Sequence, residues 1–69
     1  MEPDEIWRMI VKADEALKYA TQDKADRRHQ QAVERLRSAL SEAASIGNEA
    51  LVEQARTRLR DLGETDTGA

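Results

Sequence analysis

The sequence contains no cysteine and no phenylalanine, and its 69 residues include one proline and three glycines. Because thiols are absent, the chain can form neither a disulfide nor a zinc–thiolate site, the two covalent or metal staples of many small domains. Trp7 and Tyr19 are the only aromatic residues. No apolar run is long enough to cross a bilayer, and the N-terminus lacks a signal-peptide pattern. These absences predict a cytoplasmic protein without membrane association.

Charge is dense but nearly balanced. Eleven lysines and arginines face fourteen aspartates and glutamates, which gives a net charge of −3. Domains that bind nucleic acid usually carry a basic excess, so the overall charge argues against that role but leaves room for a local basic stripe. Arginine outnumbers lysine eight to three and alanine is plentiful. This bias is typical of high-GC genomes and favours a bacterial source.

The length limits the chain to one domain with a small core. A domain of this size buries only about 60% of the surface of its unfolded chain. Much of its apolar fraction is alanine, which buries little area and adds little free energy over the cost of ordering the chain. Domains below about 70–80 residues usually need a staple or a partner. Since staples are excluded, we expect self-association or a protein partner.

Apolar residues near the N-terminus recur at helical spacing. Pro3 suits the first turn of a helix, where its missing N–H costs nothing. Steps of four and three residues then place one apolar stripe on a single face. This stripe consists of Ile6, Ile10, Ala13, Leu17 and Ala20. Asp14 and Lys18 form an i,i+4 pair in the favourable orientation. The pattern predicts a first helix over residues 3 to about 21.

Two further helices follow. The apolar pattern is interrupted at Thr21–Asp23, which favours a break, although a single continuous helix through this stretch is an alternative. The pattern resumes over residues 24–46 and again over 49–62. Between these two segments Gly47 suits a left-handed helix end, and Asn48 can cap the next helix. We predict a single all-α domain over residues 1–63, a three-helix up-down-up bundle, with a disordered tail over 64–69.

Residues 31–63 resemble a tetratricopeptide-type helical hairpin. The matching features are the paired alanines and leucines before the turn, the sequence Ile46-Gly47-Asn48, and then Ala55 and Leu59. The large aromatic found early in such repeats is absent, and Leu36 stands near its place. One hairpin plus one helix is also shorter than the stacked arrays of that family. The resemblance implies protein–protein binding and no catalysis.

Motifs for chemistry are weak. Asp26 and His29 share a helical face at the spacing used by di-metal bundles, which need four carboxylates and two histidines. This chain supplies that set only as an oligomer, and a solvent-exposed histidine is the simpler interpretation. The serines are scattered, and only one histidine is present to act as a general base for them, so no catalytic site is indicated. The glycines form no phosphate-binding loop. We therefore expect no enzymatic activity, cofactor, metal or small-molecule substrate.

Arginines form the candidate site for a competing function. Arg27 and Arg28 belong to a locally basic segment, Arg35 follows Arg28 at i+7, and Arg56 and Arg60 form an i,i+4 pair. Arg58 is rotated away from the last two. Guanidinium groups bind phosphates in a bidentate manner, so such stripes can serve a small nucleic-acid-associated regulator. Acidic residues are interleaved, as in Glu53 with Arg56, and aromatic residues for stacking on bases are missing. A solvated face with ion pairs is the alternative interpretation.

The preferred function is a small protein–protein interaction or assembly module that self-associates. Trp7 is either a core residue at one end of the bundle or an exposed anchor, a role for which tryptophan is enriched. Met9 lies on a different face of the same helix, and Val11 widens the apolar stripe. Part of this apolar surface should stay outside a three-helix monomer. We therefore predict a protein interface at Trp7, Met9 and Val11.

Overall fold

Three helices make up the regular structure of the part of the chain that is described, residues 1–19 and 25–63 of a computed structural model. They are α1 (Pro3–Lys18), α2 (Ala25–Ser45) and α3 (Glu49–Asp61). The prediction of an all-α, up-down-up three-helix bundle is confirmed. Helix α2 packs along both neighbours, while α1 and α3 contact each other much less. Helices α1 and α3 therefore each bury their apolar faces mainly against α2.

Helix α1 begins where the sequence predicts and ends earlier. Pro3 is its first residue, and its last is Lys18 rather than a residue near 21. At Tyr19 the backbone leaves the helical region, with φ −100° and ψ 13°. The predicted break at Thr21–Asp23, its alternative of one continuous helix, and the predicted tail over 64–69 all lie outside the described residues.

The turn between α2 and α3 confirms the predicted helix stop and helix start. Gly47 has φ +70°. Its N–H donates to the Ala44 carbonyl at 3.1 Å, and the Asn48 N–H donates to the Ala43 carbonyl at 2.9 Å. This pair of bonds is a Schellman motif. The Asn48 side-chain oxygen then accepts the Leu51 N–H at 3.1 Å, so one residue ends the turn and caps α3.

We expect Gly47→Ala to destabilise the protein by about 1–2 kcal/mol, because a Cβ at positive φ clashes with the following carbonyl. A Cβ on Gly47 would meet no other atom within 4 Å, so the loss comes from backbone conformation alone. Urea unfolding followed by circular dichroism measures it. Gly47→Asn is the matched control and should recover part of the loss, since asparagine tolerates this conformation. Equal stability of the alanine variant and the wild type would contradict this account.

The core is small and rich in alanine. Its buried members are Ile6, Ile10, Ala13, Ala32, Val33, Leu36, Ala39, Ala43, Ala55 and Leu59. Five of these ten are alanines, which allow helix axes to approach to the short end of the usual 8–10 Å. Among the described residues, the large side chains that are fully buried are Ile6, Ile10 and Leu36. Small side chains therefore make up half of the buried core.

Candidate functional site

An ion pair joins α1 to α3 on the side where these helices approach each other. The Arg58 Nε lies 3.0 Å from both carboxylate oxygens of Asp14. The Arg58 Nη1 also donates to the backbone oxygen of Gln54 at 3.1 Å and to its side-chain oxygen at 2.7 Å. Four hydrogen bonds therefore fix the position of one guanidinium group.

The same guanidinium group lies over the ring of Trp7. The Arg58 Cζ is 5.5 Å from the ring centroid, which is the range of a cation–π contact. Trp7 remains 42% exposed. Trp7, Val11 and Asp14 follow one another at i, i+4 and i+7, so they lie on one side of α1. We call these three residues, with Gln54 and Arg58, the α1–α3 seam.

The seam is better suited to orienting Trp7 than to holding the fold together. Side chains of Arg58 and Asp14 are 24% and 46% exposed, so solvent screens their attraction. Pairs of this kind contribute about 1 kcal/mol or less. In contrast, a tryptophan whose ring is already restrained loses little side-chain entropy when a partner covers it. The arrangement can therefore present a fixed aromatic surface.

The three residues predicted to form an interface lie on two sides of α1. Trp7 and Val11 belong to the α1–α3 seam. Met9 is half-buried, packs against the core, and lines a depression between α1 and α2 with Arg35 and Ser38. A single flat partner surface therefore cannot cover Trp7 and Met9 together, because α1 itself lies between them.

The predicted arginine set is also divided. Arg28 and Arg35 line one groove with Lys12, between α1 and α2. The remaining members are Arg27, which is exposed on α2, and Arg56 and Arg60 on α3. Arg56 Nη1 lies 3.4 Å from the Glu53 carboxylate, as the i,i+3 spacing predicts.

The remaining candidate chemistry is sparse over the described ranges. Asp26 is exposed and His29 half-buried. No group of three or more histidine, aspartate or glutamate side chains is positioned to hold a metal ion in these ranges. No described helix is long and apolar enough to cross a membrane. Comparison of the chain with known protein families, with curated proteins and with solved structures finds no match.

Sequence reasoning missed the central residue of the seam. It paired Asp14 with Lys18 and left Arg58 without a role. In the structure Asp14 binds Arg58, which is 44 residues away, and Lys18 lies over the Tyr19 ring at 5.5 Å. Spacing rules cover pairs within one helix, so no local signal distinguishes Arg58 from its neighbouring arginines.

Proposed function

We propose that this protein is a small, non-enzymatic helical module for protein–protein interaction, and that it self-associates through the α1–α3 seam. The observation that carries the proposal is the exposed, restrained ring of Trp7. Tryptophan and arginine are both enriched at the energetic centres of protein interfaces, and here one lies over the other. A partner that covers this pair buries a large aromatic surface at a low entropic cost.

The distribution of other apolar side chains supports a second copy as the partner. Met1 is 53% exposed and Ile46 is 41% exposed. Because α1 and α2 are antiparallel, the start of α1 and the end of α2 lie at the same end of the bundle, the end nearer to Trp7. A two-fold interface uses the same surface on both copies, so exposed apolar side chains at this one end of the bundle can serve both halves of it. Burial of these side chains in a dimer would also add apolar area to a core that is rich in alanine.

The hairpin of α2 and α3 supports a finer proposal. We infer a bacterial, cytoplasmic protein from the arginine-rich, cysteine-free composition, and we infer that the hairpin is of the tetratricopeptide type. Its support is the Gly47 turn, together with Ala55 and Leu59, which are buried in the core. Hairpins of this type bind proteins rather than catalyse reactions, which agrees with the role proposed for the seam.

The test is the molar mass in solution, measured by light scattering over a concentration series. We expect a dimer that dissociates on dilution. Trp7→Ala should weaken dimerisation by up to about 700-fold, since a two-fold interface loses the ring from both copies at about 2 kcal/mol each and each 1.4 kcal/mol is tenfold. Circular dichroism should show that the variant remains helical, because Trp7 lies outside the buried core.

Tyr19→Ala is the matched control. Tyr19 is also aromatic and exposed, but it lies at the opposite end of α1 from Trp7. We expect its replacement to leave the dimer unchanged. A wild-type monomer at every concentration would overturn self-association, and equal dimerisation of the two variants would overturn the role of the seam.

A further inference from the structure

A second surface lies across α1 from the seam, between α1 and α2. It consists of two adjoining depressions of about 340 and about 240 Å³ that share Gln31 and Arg35. The larger extends to Tyr19 and the smaller to Met9. We call the two depressions together the α1–α2 trough. Seam and trough use different faces of α1, so each can be occupied without the other.

The lining of the trough carries a small excess of positive charge. Lys12, Arg28 and Arg35 line it, against the carboxylates of Glu15 and Glu34. Three cations against two anions leave one positive charge, whereas the whole chain carries −3. Within the described residues none of the three cations forms an ion pair or a hydrogen bond. These side chains are therefore available to an incoming carboxylate.

The dimensions of the trough match those of a short helix. From Met9 to the C-cap residue Tyr19 it spans ten residue steps along α1, which is about 15 Å at 1.5 Å per residue, or almost three turns. Met9, Ala16 and Tyr19 supply apolar surface along this length. A groove between two packed helices can accept the apolar side of a third helix.

We propose that the α1–α2 trough binds an acidic amphipathic helix of about three turns, supplied by a partner protein. The apolar side of that helix lies on Met9 and Ala16, and its carboxylates bind Arg28, Arg35 and Lys12. Arginine binds a carboxylate with two parallel hydrogen bonds, which fixes the register of the helix as well as adding affinity. This interaction is separate from the self-association proposed for the seam.

Charge and composition favour a protein helix over a nucleic acid. Glu15 and Glu34 lie within the trough and would repel a continuous phosphate backbone, whereas a helix can place polar or basic side chains opposite them. Stacking on bases requires a series of aromatic residues, and the trough offers Tyr19 alone among its described lining. Carboxylates spaced along a helix match the separate cations of the trough better than a continuous phosphate backbone does.

The test uses a displayed library of 15-residue peptides with fixed apolar positions at helical spacing and all other positions randomised. The full-length protein is the bait. We expect enrichment of aspartate and glutamate at positions three or four residues apart. One enriched peptide is then measured by fluorescence anisotropy, where R28Q/R35Q should bind at least about tenfold more weakly, a loss of about 1.4 kcal/mol.

The control variant R27Q/R60Q removes the same charge from exposed arginines outside the trough. It should change peptide affinity less than about twofold, and affinity should fall as salt is raised. No acidic enrichment, equal effects of the two variants, or equal binding of a scrambled peptide would each overturn the proposal. Tighter binding of a single-stranded thymidine oligonucleotide that depends on Arg28 and Arg35 would replace it with nucleic-acid recognition. Trp7→Ala should leave peptide binding unchanged, so failure of one proposal does not affect the other.

Discussion

Replacing Leu36 with alanine should remove the cooperative unfolding transition of the protein. Leu36 is fully buried at the middle of α2, the helix that packs against both others. Truncation of a buried leucine costs about 2–5 kcal/mol, because apolar transfer energy is lost and a cavity remains. A domain of this length rarely has more than about 3–5 kcal/mol in total. One substitution is therefore comparable with the whole stability.

Thermal and urea unfolding, followed by circular dichroism at a low protein concentration, test this expectation. Ile46→Ala is the matched control, because it removes a similar volume from a side chain that is 41% exposed at the α2–α3 turn. We expect Ile46→Ala to cost about 1 kcal/mol, since its side chain is only partly buried and its truncation leaves no enclosed cavity. A Leu36→Ala variant that unfolds as cooperatively as the control would show that the core does not centre on α2.

The opposite change, Ala39→Leu, should also destabilise the protein strongly. Ala39 is fully buried on α2, and half of the buried core consists of alanines. A leucine at this fully buried position must displace its neighbours or leave its rotamer minimum. Overpacking of this kind costs typically about 1–3 kcal/mol and occasionally more. If the leucine pushes α2 away from a neighbouring helix, the loss of stability should lie near the upper end of this range.

Ala44→Leu separates the effect of packing from the effect of residue type. Ala44 is on the same helix but exposed, and leucine is nearly as good a helix former as alanine. The free energy of unfolding of the Ala44→Leu variant should differ from that of the wild type by less than about 0.5 kcal/mol. Comparison of the two urea midpoints measures the cost of burial directly. If Ala39→Leu were neutral or stabilising, the helices would have room to spare, and the description of an alanine-packed core would be wrong.

Local patterns in the sequence were sufficient to predict the helices. The period of 3.6 residues in the apolar stripe located α1, α2 and α3, and Ile6, Ile10 and Ala13 lie in the core as their spacing requires. The α2–α3 turn was predictable because its two determinants, Gly47 and Asn48, act on backbone atoms within five residues. Helix ends without such a signal were less predictable, and α1 ends at Lys18 rather than near residue 21.

Contacts between distant segments could not be read in the same way. The seam depends on the rotation of α3 relative to α1, which brings Arg58 rather than Arg56 or Arg60 to Asp14. Rotation is set by the fit of alanine and leucine side chains across both interfaces of α2, and no spacing rule encodes it. The separation of Trp7 from Met9 was predictable, in contrast, because two positions apart on one helix correspond to about 200° of rotation around its axis.

The central position of α2 also has a consequence for the order of assembly. Extensive packing occurs between helices that are consecutive in the chain, while α1 and α3 share few contacts. Loops closed by such contacts are short, so little entropy is lost before each contact forms, and chains of this topology fold quickly. The contacts of Arg58 with Asp14 and Trp7 close much longer loops, because they join the first helix to the last. Each outer helix can therefore dock on α2 on its own, and closure of the seam over Trp7 completes a bundle that is already assembled.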